Sequence, residues 1–394
     1  MWSYILSQVL KQIIQKGCLE ITFSNGKVEK FGKPSDELIS AKFLTRDLPR
    51  KLILNTDLAL GEAYSDGTLI IDDDNLFGFL KVLATNAANI PDHWLLRLVA
   101  LRQSAFKKII QRNKLLGSKE NVAHHYDLSP KLYDLFLDKD KNYSCAYFNK
   151  FSDTLDQAQE NKKHHIAKKL MLKSGMKVLD IGCGWGGMSL TLAREYDVNV
   201  VGITLSEVQK AICEQRAKDE GMSEKVTFLL ADYRKDFGKF DRIVSIGMFE
   251  HVGAPNFTNY FKEVKNKLID DGTALIHTIG RITPPGGTSP WINKYIFPGG
   301  YIPAMSETLA SIEKNRLYVT DVEILRLHYA MTLEKWSSNF NASKQKVKEI
   351  YDDRFFRMWG YYLTASEISF RYYQNVVFQF QISKQLEEVP ITRN

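Results

Sequence analysis

Five short apolar runs, KVLDIGCG, VNVVGITL, KVTFLLAD, FDRIVSIGM and TALIHTIG, follow one another from about Met176 at intervals of roughly twenty to thirty residues. They are nearly continuous rather than alternating, as strands buried on both faces of a parallel sheet are. The segments MSLTLAREY and EVQKAICEQRAKDEG, lying between them, have helical character. Strands alternating with helices predict βαβ units and an α/β fold around a parallel sheet. Ligands of such sheets bind beyond the carboxyl ends of the strands. The residues that end each run are therefore the first place to look for chemistry.

Two run ends stand out. In VLDIGCGWGG (178–187), Asp180 ends the strand, Gly182 and Gly184 permit close backbone approach to a ligand, and a helix starts near Gly187. The pattern is neither GxGxxG nor a P-loop, which needs Lys-Ser/Thr. In VSIGMFEHVG (244–253) a buried strand stops on Glu250–His251, a carboxylate beside an imidazole that packing does not require. The second run ends in GITLSEVQ, with Thr204, Ser206 and Gln209 at its tip and Glu207 adjacent. The third ends in Asp232-Tyr233, which reads equally as a surface turn.

The chain has 394 residues, 44% of them hydrophobic, enough for two domains. No apolar run is long enough to span a bilayer. The segment MWSYILSQVLKQIIQKG has helical apolar spacing with a polar face, so it is expected to be a helix packed on its own domain, with an interfacial membrane helix as the alternative. LEITFSNGKVEKFG predicts a hairpin turning at Asn25-Gly26, and IDDDNLFGFLKVLA a helix start. A smaller α+β domain is thus expected over residues 1–100. A linker over 101–120 carries Arg102, Lys107, Lys108, Arg112, Lys114 and Lys119 against the single acid Glu120. It is either a membrane-touching segment or a solvated helix. Residues 121–394 are expected to form the domain built on the parallel sheet. The net charge of +7 favours an anionic partner, and both nucleic acid and an anionic lipid surface fit. Cys18, Cys145, Cys183 and Cys213 have no disulfide or metal spacing and read as free thiols in a reducing cytoplasm. His124-His125 and His164-His165 lack a Cys or acid that would complete a ligand set, so no metal is expected.

LDIGCGxG after a strand resembles the first motif of class I methyltransferases, which bind S-adenosylmethionine on a Rossmann-like sheet. That likeness points Asp180 at the ammonium of the methionine moiety. Further stretches agree in order with one family: NVAHHYDL (121–128), NYSCAYF (142–148), GITLS..Q, DYR, FDRIVSIGMFEHVG, LIHTIG, FPGGYIP (297–303), LHYAMTLEKW (327–336) and RMWGYYLTAS...FRYYQ (357–374). The set resembles the cyclopropane-fatty-acyl-phospholipid synthases, relatives of the mycolic acid cyclopropane synthases. LGEAYSDGTLIIDD (60–73) extends the likeness into the N-terminal domain and favours the phospholipid-acting branch.

The resemblance implies that Tyr143 and Ser144 contact the methionine end of the cofactor, Gly182 and Gly184 its middle, and Thr204 and Gln209 the ribose. Asp232, Tyr233 and Arg234 border the adenine, with the Asp232 carboxylate accepting from the adenine amino group. Cys145, Glu250, His277 and Tyr329 match the residues around a bound bicarbonate. Ser366 stands where many members carry a cysteine, which argues against a required thiol there. The implied reaction turns a cis double bond of a phospholipid acyl chain into a cyclopropane ring. The resemblance further implies a homodimer in the cytoplasm, peripheral on the inner face of the membrane, with no nucleic-acid partner. Glu250 would position the proton acceptor, in a charge state left open between protonation and pairing with His277; His251 would be structural. RITPPGGTSPWINKYIFPGGYIP (281–303) reads as a flap over an acyl channel or as an inert insertion. Two other readings stay open: a methyltransferase acting on another acyl or small-molecule acceptor, and a membrane-surface protein that keeps the fold without turnover.

Overall fold

A computed structural model describes residues 1–34, 37–87, 128–387 and 389–391. The basic linker 101–120 and His124-His125 lie outside the described residues. Chain contacts divide the molecule into two units: Met1–Ile109 with Ser289–Ile296 and Leu333–Gln374, and Ile110–Thr288 with Phe297–Thr332 and Asn375–Asn394. This division is not the contiguous 1–100, 101–120 and 121–394 of the sequence reading. Two later segments return to the N-terminal unit because their apolar faces are buried there.

The first unit holds strands β1 (Cys18–Thr22), β2 (Val28–Gly32), β3 (Leu38–Phe43) and β4 (Leu69–Ile71), in the order β2-β1-β3-β4. The expected hairpin joins β1 to β2, with Gly26 at φ +82°, a left-handed turn position that suits glycine. Helix α1 (Trp2–Ile13) buries Leu6, Ser7 and Leu10 and packs on α2 (Leu48–Leu54), as the domain-packed reading expects. Its Tyr4 and Ile5 are exposed. Helices α3 (Thr56–Ser65) and α4 (Leu76–Thr85) pack against the long helix at Asp353–Tyr372. The α4 cap is Asn75, whose side chain accepts from Gly78 N; the acidic run before it forms a short 3₁₀ turn instead. The segment Pro290–Tyr295 is held here by Ser289 and Trp291, which both donate to Asp57, and by Lys294 on Glu62.

The second unit is built on seven strands, β5 (Lys177–Ile181), β6 (Asn199–Thr204), β7 (Val226–Leu230), β8 (Phe240–Ile246), β9 (Leu268–Arg281), β10 (Tyr318–Ile324) and β11 (Asn375–Ser383). Their order is β10-β11-β9-β8-β5-β6-β7. The five predicted runs are β5 to β9, parallel to one another, while β11 and β10 add an antiparallel edge beside β9. One face carries Leu179, Ile181, Ile203 and Ile243 against α8 (Phe257–Lys267). The other carries Val178, Val200 and Val244 under α5 (Leu155–Leu170), α6 (Gly187–Tyr196) and α7 (Glu207–Asp219). Burial on both faces is why the runs lack alternation. The chain leaves β5 toward β6 and β7, then returns to β8 and β9 on the other side. The reversal opens a crevice at the carboxyl ends of β5 and β8. Among the described residues, no helix is long and apolar enough to cross a membrane.

Candidate active site

The crevice at that switch point is a cleft with about 930 Å³ of empty space, part of it open to solvent. Its walls come from the tips of four parallel strands: Ile181, Gly182 and Gly184 after β5, Thr204 and Leu205 after β6, Asp232, Tyr233 and Arg234 after β7, and Gly247 and Met248 after β8. Gly182 has φ +82°, and a Cβ there would lie 2.9 Å from the Met248 Cβ. Gly184 has φ +54° and open space where its Cβ would point. Both therefore suit glycine on backbone grounds; Gly182 makes way for Met248, and Gly184 leaves open space.

Thr204 and Gln209 meet across the loop into α7, where the Ser206 hydroxyl caps the Gln209 N–H. The Thr204 hydroxyl donates to Gln209 Oε1 at 2.8 Å. That leaves Gln209 Nε2, a buried donor on the cleft wall, with no partner among the described residues. Asp232 is clamped by Arg234 in a two-point ion pair of 2.7 and 2.6 Å. Burial opposes its ionisation, yet Arg234 holds the carboxyl below the usual range. The Tyr233 ring packs edge-on against Tyr260, and burial pushes its hydroxyl up to about 12. Asp180 stands apart from the cleft wall. It is buried, accepts from the Ser189 hydroxyl at 2.7 Å, and burial pushes it up to about 6.

The segment 142–148 is fastened from below by α5. Ser144 Oγ accepts from Lys162 Nζ at 2.9 Å, and its carbonyl accepts from Gln159 at 2.9 Å. Tyr143 packs edge-on against Tyr133 and Phe136. Two further bonds tie this segment to helix α9 (His328–Ala342): Ala146 N–H donates to Thr332 Oγ1 and Phe148 N–H to His328 Nδ1, both at 3.0 Å. Those bonds bring Cys145 to the helix turn that carries Tyr329, and both residues are buried. Burial pushes the Cys145 thiol up, far from thiolate chemistry at neutral pH.

Glu250 sits on a 3₁₀ turn directly after β8. Its Oε1 accepts from the Ile279 N–H at 2.6 Å, while Oε2 is buried without a partner among the described residues. Burial pushes the carboxyl up to about 7, against the backbone N–H groups of Glu250 and Ile279 and the nearby Thr278 hydroxyl, all of which favour the carboxylate. His277 lies on β9, cross-strand from Ile246 at the end of β8. Its Nδ1 is 3.2 Å from Gln379 Nε2, and its Nε2 has no partner among the described residues. Burial and the nearby Lys162 and Lys169 push the imidazole well down, so it is neutral. No hydrogen bond or ion pair joins Glu250 to His277 among the described residues; the pairing alternative is not the arrangement seen.

Several residues escaped the sequence reading. His251, read as structural, lines the cleft, and burial pushes it down to about 4. Pro298 and Gly299 of the segment read as a flap also line it. Gln159, Lys162 and Gln379 are buried supports. Their available signal was a polar side chain at an otherwise buried position, as in VVFQFQIS. His164 needs a correction: acids do reach it, since donor atoms of Glu160, His164 and Glu195 lie within 4.8 Å of one another. Glu195 arrives from another helix, which spacing along one helix could not reveal. Both acids are already ion-paired, Glu160 with Lys163 and Glu195 with Arg194, each at 3.0 Å.

Comparison with known proteins agrees with this geometry. The family model described as mycolic acid cyclopropane synthetase matches residues 113–380. The chain is 40% identical over 344 residues to cyclopropane-fatty-acyl-phospholipid synthase of Escherichia coli (strain K12), covering 86% of this chain and 87% of that protein. The structure of the cyclopropane synthase MmaA2 from Mycobacterium tuberculosis matches with a TM-score of 0.66 at 35% identity, over 69% of this chain and 100% of its own. Mycolic acid cyclopropane synthase CmaA1 complexed with SAH and CTAB matches with a TM-score of 0.64 at 36% identity, over 67% of this chain and 97% of its own. A parallel sheet with this reversal, a glycine-lined cleft at its switch point and a match through both units of the chain lead to one conclusion: the chain belongs to the mycolic acid cyclopropane synthetase family, S-adenosylmethionine-dependent enzymes of the class I methyltransferase fold.

Proposed function

We propose that this chain transfers a methylene from S-adenosylmethionine to the cis double bond of unsaturated acyl chains in membrane phospholipids, with bicarbonate as the base. One observation carries the reading. Beside a cleft with an unpartnered donor on its wall, three buried polar atoms with no partner among the described residues, Glu250 Oε2, His277 Nε2 and Gln379 Oε1, come from adjoining strands or the turn that follows one. Buried polar groups are nearly always paired, so such a group calls for a ligand. A small anion satisfies the donors among them.

When bound, S-adenosylmethionine supplies a methyl already activated on sulfonium, and bicarbonate supplies a proton acceptor. The chain does the rest. Gln209 and Thr204 hold the ribose, Asp232, Tyr233 and Arg234 border the adenine, Gly182 and Gly184 admit the linker, and Tyr143 and Ser144 serve the methionine end, with Asp180 set back from the cleft wall on Ser189. The protein holds alkene and methyl in line, since neither needs prior activation by an acid. Attack leaves a cation on the acyl chain, and ring closure needs one proton removed from the new methyl group. Glu250 is suited to orient the acceptor in its neutral form. Its Oε1 faces a backbone donor, so a proton would sit on Oε2, the free side. His277 and the Tyr329 hydroxyl add hydrogen bonds, and Cys145 closes a pocket dry enough to keep water from the cation.

The enzyme would work as a homodimer at the cytoplasmic face of the membrane, with the basic segment 101–120 near anionic headgroups. Mass spectrometry of lipids from cells expressing the protein tests the whole reading. The expected product is unsaturated phospholipid chains heavier by one CH₂ and no longer reactive as alkenes. A methyl-branched product, or gain only in free or carrier-bound chains, would favour methyl transfer to another acceptor instead.

A further inference from the structure

The neighbour that decides what His277 can do is Gln379. The two are directly opposite in the antiparallel pairing of β9 and β11, so their side chains share one face of the sheet. Both are buried. Gln381, two residues along the same strand and on the same face, is a useful contrast. Its Oε1 accepts from the Thr320 hydroxyl at 2.9 Å and its Nε2 donates to the Lys169 carbonyl at 2.6 Å. Both ends of that amide serve the fold. Gln379 makes one bond, to His277 Nδ1 at 3.2 Å, and leaves its Oε1 unpartnered.

An amide nitrogen only donates. The Nδ1 atom facing it must accept, which leaves the single proton of a neutral imidazole on Nε2. Resting on the base-site reading above, we infer that Gln379 is a positioning residue that holds His277 as the Nε2–H tautomer, so that His277 and Glu250 present two hydrogen-bond donors to one small anion. The charged and titratable groups acting on His277 are Lys162, Lys169 and His165 from α5 and Glu323 from β10, and Glu250 is bonded to the Ile279 N–H two residues along β9. Among the described residues none of them is hydrogen-bonded to either imidazole nitrogen, and the amide alone fills that role. The opposite tautomer would present a lone pair to the pocket and repel an anion.

Nitrogen NMR of the full-length protein labelled at histidine reads the tautomer directly. The expected wild-type signal for His277 is a protonated Nε2 and an unprotonated Nδ1. In Gln379→Leu the two tautomers should mix, and the bicarbonate concentration for half-maximal turnover should rise about tenfold, the loss of one oriented neutral hydrogen bond. In Gln379→Glu a carboxylate would accept from Nδ1–H, so the imidazole should stay protonated to higher pH and the pH profile should move with it. Turnover is taken per folded, cofactor-binding molecule, which removes simple destabilisation from the comparison. A wild-type imidazole protonated on Nδ1 would overturn the inference, as would an unchanged tautomer and bicarbonate response in Gln379→Leu. Wild-type turnover indifferent to bicarbonate would instead remove the base-site reading, while the tautomer measurement would still decide the role of Gln379.

Discussion

Two buried amides, one in each unit, are used in opposite ways. Asn86 in the N-terminal unit is fully engaged. Its Oδ1 accepts from the N–H groups of Gln15 and Lys16 at 2.9 and 3.0 Å, and its Nδ2 donates to the carbonyls of Lys16 and Val82, each at 2.7 Å. It closes the end of α4 onto the chain leaving α1, and nothing is left over for a ligand. Gln209 in the second unit gives one end to Thr204 and leaves the other unpartnered at the cleft. An unmade buried hydrogen bond costs about 1–3 kcal/mol. A fold tolerates that where a ligand makes the missing bond. Asn86 thus spends every bond on the structure, while Gln209 keeps a donor at the cleft wall with no partner among the described residues.

The largest expected effect is at the backbone of the cleft. Gly182→Val places a branched side chain at φ +82° against Met248 and in the cofactor's path. S-adenosylmethionine affinity should fall at least about a thousandfold, or roughly 4 kcal/mol, by calorimetry. Binding at wild-type affinity would remove the cofactor assignment of the whole cleft.

Asn86→Leu comes next and should act on stability alone. It strands the Gln15 and Lys16 N–H groups and the Lys16 carbonyl, while the Val82 carbonyl keeps the Thr85 hydroxyl, for a loss of about 3 kcal/mol in denaturant unfolding. Turnover per folded molecule should stay near wild type. A loss below about 1 kcal/mol would break the contrast, because complete bonding would then have no structural weight.

Glu250→Gln should do the reverse. Turnover should fall about a hundredfold, or roughly 2.7 kcal/mol of barrier, with cofactor binding retained. The apo protein should meanwhile gain stability at high pH. Burial raises Glu250 from 4.5 to about 7, so between those values the native state binds more protons than the unfolded state. Wild-type stability therefore falls as pH rises through that window, by an amount on the order of 3 kcal/mol. Glutamine does not ionise, and the variant's advantage should grow from about pH 4.5 to 7 and then level off. A pH-independent difference would mean that the carboxyl is not held neutral by burial. Near-normal turnover would end the base-site assignment.

The smallest effect is expected from Gln209→Leu, which removes the half-engaged amide. Cofactor affinity should weaken about tenfold, while stability changes by less than about 1 kcal/mol, because a partly satisfied polar group is exchanged for an apolar one. A stability loss as large as that of Asn86→Leu would show that both amides are structural.

Much of this site was readable because strand ends are local features. Gly182, Thr204 and Asp232 each end or follow an apolar run, and the topology rule carries such residues to one crevice; Glu250 follows a fourth run, between Met248 and His251, which line it. The supports were not readable in the same way. Gln379 meets His277 across two antiparallel strands, and Lys162 reaches Ser144 from a helix whose charged face looks solvated in sequence. Glu195 joins His164 from a different helix. In each case the partner is remote in sequence and no periodicity links the pair.

The sequence by itself determined the parallel sheet, its ligand-bearing edge, the glycine turn and the identity of the acid after β8, because hydrophobic period and turn chemistry act over a few residues. Only the tertiary structure decided which segments join the N-terminal unit, which polar atoms remain unpartnered, and that Glu250 is held near neutrality. Burial and hydrogen-bond completion depend on every chain segment that arrives at a point in space, and the one-dimensional pattern does not record those arrivals.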